Sequence, residues 1–206
     1  RDPNATLETA LIRGLGTGAL VLLTVILAIG PLARLDARFL PLLYNRRHLG
    51  VTMCLLALGH AAFSLIQFHA LGDVNPLVSL LTATADPARP GAFPFELLGL
   101  AALIILLVMA ATSHDFWLAT LSAPMWKALH MLVYVAYGLL IGHVALGSLQ
   151  ISASPWPAVL LLGSAAVVFA LHLVAGWRER RGDRDPAPRA DWVDVCRVDE
   201  IRESRA

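Results

Sequence analysis

His130 and His143 stand thirteen residues apart in ALHMLVYVAYGLLIGHVALG, a stretch without a charged side chain, and His60 lies in a second such stretch, LGVTMCLLALGHAAFSLIQF. An imidazole at membrane depth is costly, so it turns toward a bundle interior, where it pairs, conducts protons or holds a metal. The neutral ring is also the common axial ligand of haem iron. Histidines on facing helices therefore imply a membrane cytochrome of the b type.

Depth sorts these histidines. If the helices bearing His60 and His143 both start at basic residues, Arg47 and Lys127, a rise of ~1.5 Å per residue puts His60 about 20 Å in and His143 about 24 Å in. They share a level. On the same rise His130 lies ~4.5 Å in, where His48 and His172 are the candidate partners. This defines a second rung ~18 to 20 Å from the first. Thirteen residues turn a helix by about 220°, so His130 and His143 do not share an ideal face, and spacing alone leaves one haem or two open. Gly59 and Gly142 each precede an upper histidine. Small residues there let helices, or a flat macrocycle, approach closely, and ordinary helix packing is the stronger reading. His69 and His114 sit near loops and are expected to be exposed. Tyr134 and Tyr137 are expected to be core and interface aromatics.

The elements that must position these rings are membrane spans. Of the 206 residues 57% are apolar and only 15% charged, a composition for a bilayer rather than for an ordinary soluble domain. Twenty uncharged residues separate Arg13 from Arg34, twenty-five separate Arg47 from Asp73, and eighteen separate Glu96 from Asp115. A fifty-residue run from Ala128 to Trp177 is broken by GSLQISASPWP. Judged against the roughly 20 residues a spanning helix needs, this is an all-α polytopic bundle of about five spans, near 14–33, 48–68, 95–113, 124–149 and 157–177. The first span carries no side chain with obvious chemistry and reads as packing. Between the second and third, PLVSLL is expected to form a short interfacial helix among NP, DP, RP and PG breakers.

Arg34, Arg38, Arg46, Arg47, Lys127, Arg178, Arg180 and Arg181 fall on one side of these spans. Asp73, Asp86 and Glu96 against Arg89 fall on the other. The positive-inside rule puts the Arg side and the C-terminus in the cytoplasm, and Trp117, Trp126, Trp156 and Trp177 fall at span ends as interfacial anchors. A net charge of +1 offers no basic face for nucleic acid. Cys54 lies inside a span and Cys196 in the tail, so no disulfide framework is implied. The chain starts at Arg1 without a signal-peptide pattern, which leaves room for an earlier span. Residues 1–177 thus read as one transmembrane domain and 178–190 as a charged linker. Residues 191–206 read as the start of a truncated soluble domain, in which DWVDVCRVDEI alternates like a strand.

RRHLG at Arg46 to Gly50, ALGH ending at His60, MAATSHD at Met109 to Asp115, and WKALHMLVY with IGH at Trp126 to His143 resemble the ferric-reductase-like transmembrane domain superfamily. That group includes NADPH-oxidase and ferric-reductase membrane cores and the haem subunit of the bacterial periplasmic methionine-sulfoxide reductase system. The resemblance covers roughly Gly14 to Trp177. It implies six helices in the full protein, a location in the bacterial inner membrane, and His60, His130 and His143 as ligands of one or two haems b. In the oxidase branch another histidine stands about fourteen residues before the position of His60, but position 46 here is arginine. His48 is two residues off that register, and His172 remains the alternative. Arg46, Arg47 and Lys127 are placed to pair with propionates of an inner haem, or serve only as topology charge.

The tail resembles the start of a Rieske-type domain, yet the paired Cys and His ligands of a [2Fe–2S] cluster are absent from these residues. No nicotinamide or flavin glycine fingerprint is present either. The function these features imply is electron transfer across or within the membrane. Lipid surrounds the bundle, a redox partner meets the cytoplasmic side, and a quinone or a larger membrane complex is a further candidate. The rivals are a haem-free anchor for a soluble redox domain, and a proton-coupled transporter, which the lack of acidic residues within the spans weakens.

Overall fold

Helix formation follows the apolar runs, and short polar caps set where each begins. The computed structural model describes residues 6–82, 95–151 and 154–184. Thr6 caps α1 (Leu7–Leu35) by accepting from the Thr9 amide. A 3-10 turn, Ala37–Phe39, leads into α2 (Leu42–His69). The short α3 (Pro76–Thr82) is the helix expected from PLVSLL. After α4 (Phe95–Ala111), the His114 ring caps α5 (Asp115–Thr120). Ser122 caps α6 (Ala123–Leu146), with Pro124 in its first turn, where the missing N–H costs nothing. Gly147 closes α6 by donating to the His143 carbonyl, and α7 (Ser148–Ile151) and α8 (Trp156–Arg184) follow.

This is the all-α polytopic bundle expected, with no strand among the described residues. Among the described residues four helices, α1, α2, α6 and α8, are long and apolar enough to cross a membrane. The fifth expected span is α4, whose 17 residues reach about 25 Å, at the short end of the range for a spanning helix. α1 packs on α2 and α8, α4 packs on α6, and α2 meets α4 across the middle. Their shared core holds Ala19, Leu23, Ile26 and Leu27 of α1, Met53 and Cys54 of α2, Ala102 and Leu106 of α4, Ala136 and Tyr137 of α6, and Val168 of α8. Eight residues of α1 are buried, from Ile12 to Pro31, in keeping with its reading as a packing helix. Leu55, Phe68, Leu162 and Phe169 stay exposed, the disposition of side chains whose solvent is lipid.

Two findings differ from expectation. His69 is buried, because α3 folds back and its Ser79 hydroxyl lies 3.0 Å from the ring Nδ1. The charged segment opening at Arg178 begins as the last turns of α8, since Arg178 donates to the Leu35 carbonyl at 3.1 Å and Glu179 accepts from Arg34 at 3.3 Å. These contacts extend α8 through Arg184. Asp86, Arg89, Cys196, linker residues 185–190 and the strand-like stretch 191–206 lie outside the described residues.

Candidate functional site

His60 on α2 and His143 on α6 are brought together, their ring centroids 6.2 Å apart and their planes at 84°. Each ring is fixed from behind by a backbone carbonyl. His60 Nδ1 donates to the Ile12 carbonyl of α1 at 2.9 Å, and His143 Nδ1 donates to the Phe95 carbonyl of α4 at 2.8 Å. A proton held on Nδ1 leaves the Nε2 lone pair as the free ligand atom, the tautomer that metal-bound histidine adopts. The Phe95 ring packs beside His143 at 5.6 Å.

The donor set selects the kind of metal group that fits. Among the described residues no three His, Cys, Asp or Glu side chains converge on one point, so a bare ion would lack ligands. A porphyrin supplies four equatorial nitrogens and asks the protein only for axial ones. The two rings stand 6.2 Å apart with both Nδ1 atoms engaged by backbone, and this donor pair fits a haem.

His130 lies toward the Arg side of α6. Its Nδ1 donates to the Trp126 carbonyl at 3.0 Å, and its ring stacks on the Trp126 indole with centroids 3.8 Å apart. Its Nε2 is buried without a partner, and so is Trp126 Nε1. His172 is differently employed: Nδ1 donates to the Val168 carbonyl at 2.8 Å, and Nε2 accepts from the Tyr134 hydroxyl at 2.8 Å. Tyr134 and His172 line an apolar cavity of about 460 Å³ between α6 and α8. His48 is exposed near the start of α2. Arg47 pairs with Asp115 at the start of α5, and Arg46 reaches toward Gly30 of α1. His114 is exposed, as expected.

One signal in the sequence was overlooked. Leu15-Gly16 and Gly59-His60 recur eighty-three residues on as Leu98-Gly99 and Gly142-His143. The recurrence is structural as well. Ala19, Leu23, Met53 and Cys54 correspond to Ala102, Leu106, Ala136 and Tyr137, and all eight are buried in the shared core. The Ile12 and Phe95 carbonyls that hold the two rings correspond in the same way. The pair α1–α2 is thus repeated as α4–α6. Because the equivalent histidines face each other, the two halves meet as a two-fold pair does.

Against this geometry the comparisons with known proteins are specific. Residues 14–141 match the family described as ferric reductase like transmembrane component. The chain belongs to that family. Within it, a relative from Caulobacter vibrioides is 30% identical over 86% of this chain and 77% of its own length. It is named protein-methionine-sulfoxide reductase heme-binding subunit MsrQ. A protein of the same name from Polaromonas naphthalenivorans is 34% identical over 65% of this chain and 56% of its own length. No solved structure matches the chain. Family membership and four long apolar helices make it a multi-pass membrane protein. The matched range contains His60 and His130 and stops two residues before His143.

Proposed function

We propose that the chain is a b-type cytochrome of a bacterial inner membrane. It carries electrons between a redox partner on its cytoplasmic Arg side and an acceptor at the outer face. The observation that carries this reading is the His60–His143 pair, 6.2 Å apart with both Nδ1 atoms tied to backbone. The names of the two relatives, each the haem-binding subunit of a reductase, support it. In this reading His60 and His143 would hold the haem. When bound, haem iron supplies a one-electron couple, and the protein supplies ligation and a low-dielectric path.

The chain's own residues do three things there. The Ile12 and Phe95 carbonyls accept the Nδ1 protons and so fix both tautomers. The buried apolar side chains of Leu23, Ala102, Leu106 and Ala136 exclude water from the middle of the bundle. Trp126 stacks on His130 and holds that ring with Nε2 free.

The reading extends to a second haem near the Arg side, on His130 and a histidine of α2, His48. An imidazole nitrogen buried without a partner is costly, and iron would satisfy it. His172 is the weaker partner because both of its nitrogens are already bonded. Arg46 stands free to meet a propionate there, while Arg47 is shared with Asp115. A quinone or a larger membrane complex is the alternative to a soluble partner.

Reduced-minus-oxidised spectra of the purified chain test the central claim. A haem b band that is lost or turned high-spin in both His60→Ala and His143→Ala is expected. A chain without haem would leave a haem-free anchor as the better account, and a normal haem spectrum in both variants would take the ligand role away from His60 and His143. Pyridine-haemochrome stoichiometry then separates one haem from two.

A further inference from the structure

Each histidine ring sits where a side chain on the neighbouring helix would have to be. A Cβ on Gly16 of α1 would lie 2.9 Å from Nδ1 of His60, and a Cβ on Gly99 of α4 would lie 2.8 Å from Nδ1 of His143. These are the closest approaches either ring makes to a vacant Cβ position. The glycine before each histidine is packed in return: Gly59 receives Leu15 at 3.3 Å, and Gly142 receives Leu98 at 3.0 Å. So α1–α2 and α4–α6 close by the same pair of insertions, a leucine into one glycine and a histidine into the other.

The reason lies in helix geometry. In α1 the Ile12 carbonyl already accepts from the amide four residues on, that of Gly16, and in α4 the Phe95 carbonyl does the same for Gly99. A carbonyl oxygen has a second lone pair. A helical side chain leans toward the N-terminus and covers the turn before its own Cα, so any residue but glycine at 16 or 99 would shield that lone pair from the imidazole. The two glycines uncover the two carbonyls.

The geometry points to Gly16 and Gly99 as positioning residues that set the tautomer, ring plane and donor strength of the two histidine ligands. Neither touches the iron site. They act through His60 and His143 by keeping the Nδ1–H···O=C bonds open, and these bonds raise the basicity of the ligating nitrogens. Because the seats repeat at one spacing, they act equally on both sides.

The test has two arms. The first rests on the haem reading above: midpoint potentials and low-temperature EPR spectra are recorded for the haem-loaded full chain. Outer-shell partners of ligating histidines typically change metal affinity by ~10-fold or more. A tenfold loss of preference for ferric over ferrous iron is about 59 mV for one electron. Gly16→Ala and Gly99→Ala should each raise the potential by about that much and shift the low-spin signal. Gly18→Ala, whose Cβ would meet only Leu56 at an ordinary 3.6 Å, and Gly163→Ala, which meets nothing, should do neither. Potentials of Gly16→Ala and Gly99→Ala that match the two controls would overturn the proposal.

The second arm needs no haem. In the full chain made without haem, the thermal midpoint or membrane accumulation is compared for Gly16→Ala, His60→Ala and the double variant. A clash with the ring predicts that the Gly16→Ala defect disappears once His60 is alanine. An undiminished defect in the double variant would show that the glycine serves backbone packing instead. A chain that takes up no haem, with coupling intact in the second arm, would remove the haem reading and keep the seat.

Discussion

Ser164→Ala is the most informative stability variant, because Ser164 of α8 links three helices. Its hydroxyl meets the Tyr137 hydroxyl of α6 and lies 2.7 Å from Thr24 Oγ1 of α1. Thr24 also donates to its own Leu20 carbonyl at 2.8 Å, so loss of Ser164 does not leave it without a partner. Tyr137 has no such reserve, and only 7% of it is exposed. A buried hydroxyl left unpaired costs about 1–3 kcal/mol, while interhelical polar contacts in bilayers average ~0.6 and reach ~1.7 kcal/mol. The upper part of the bilayer range governs here, so Ser164→Ala should cost about 1–2 kcal/mol. For a chain of this size that is roughly 2–8 °C in thermal midpoint. Tyr137→Phe removes the hydroxyl but leaves Ser164 bonded to Thr24, so about 0.5 kcal/mol is expected. The double variant should resemble Tyr137→Phe, since removing both partners leaves no orphan. Thermal unfolding in detergent, followed by circular dichroism, reads all three. Additive losses in the double variant, or Tyr137→Phe costing more than Ser164→Ala, would refute the orphan argument.

Ring planes at 84° should give a highly anisotropic low-spin ferric EPR signal, and a signal of the parallel-plane type would show that the rings turn on loading. His172→Phe should leave haem stoichiometry unchanged while His130→Ala lowers it; loss of one haem in His172→Phe would transfer the inner ligand to α8. A cysteine at Arg180 should resist a membrane-impermeant label in intact cells, and prompt labelling there would invert the orientation.

The spans were legible because a membrane helix announces itself through composition: nothing charged lies between Arg13 and Arg34 or between Arg47 and Asp73. The meeting of His60 and His143 was legible too, since rise per residue turns sequence position into depth once both helices start from the same face. Lateral placement was less accessible. Counting along α6 could not show that Trp126 stacks on His130, because a stacked pair one turn apart reads in sequence as an interfacial anchor and an isolated histidine. His69 looked like the end of a span until α3 folded over it. The end of α8 was misjudged because charge density suggests a linker, whereas Arg178 and Glu179 find partners on α1. Gly16 and Gly99 escaped notice for a related reason: a glycine's role is defined by the neighbour it admits.

The eighty-three-residue recurrence also says where the molecule stops being symmetric. Carried toward the Arg side, it sets Arg47 against His130, so one half places a guanidinium where the other places an imidazole. His48, one residue further along α2, faces about 100° away from that position. At the outer level the two halves pair like with like, His60 against His143. At the inner level the halves differ, and that difference gives a doubled scaffold a front and a back.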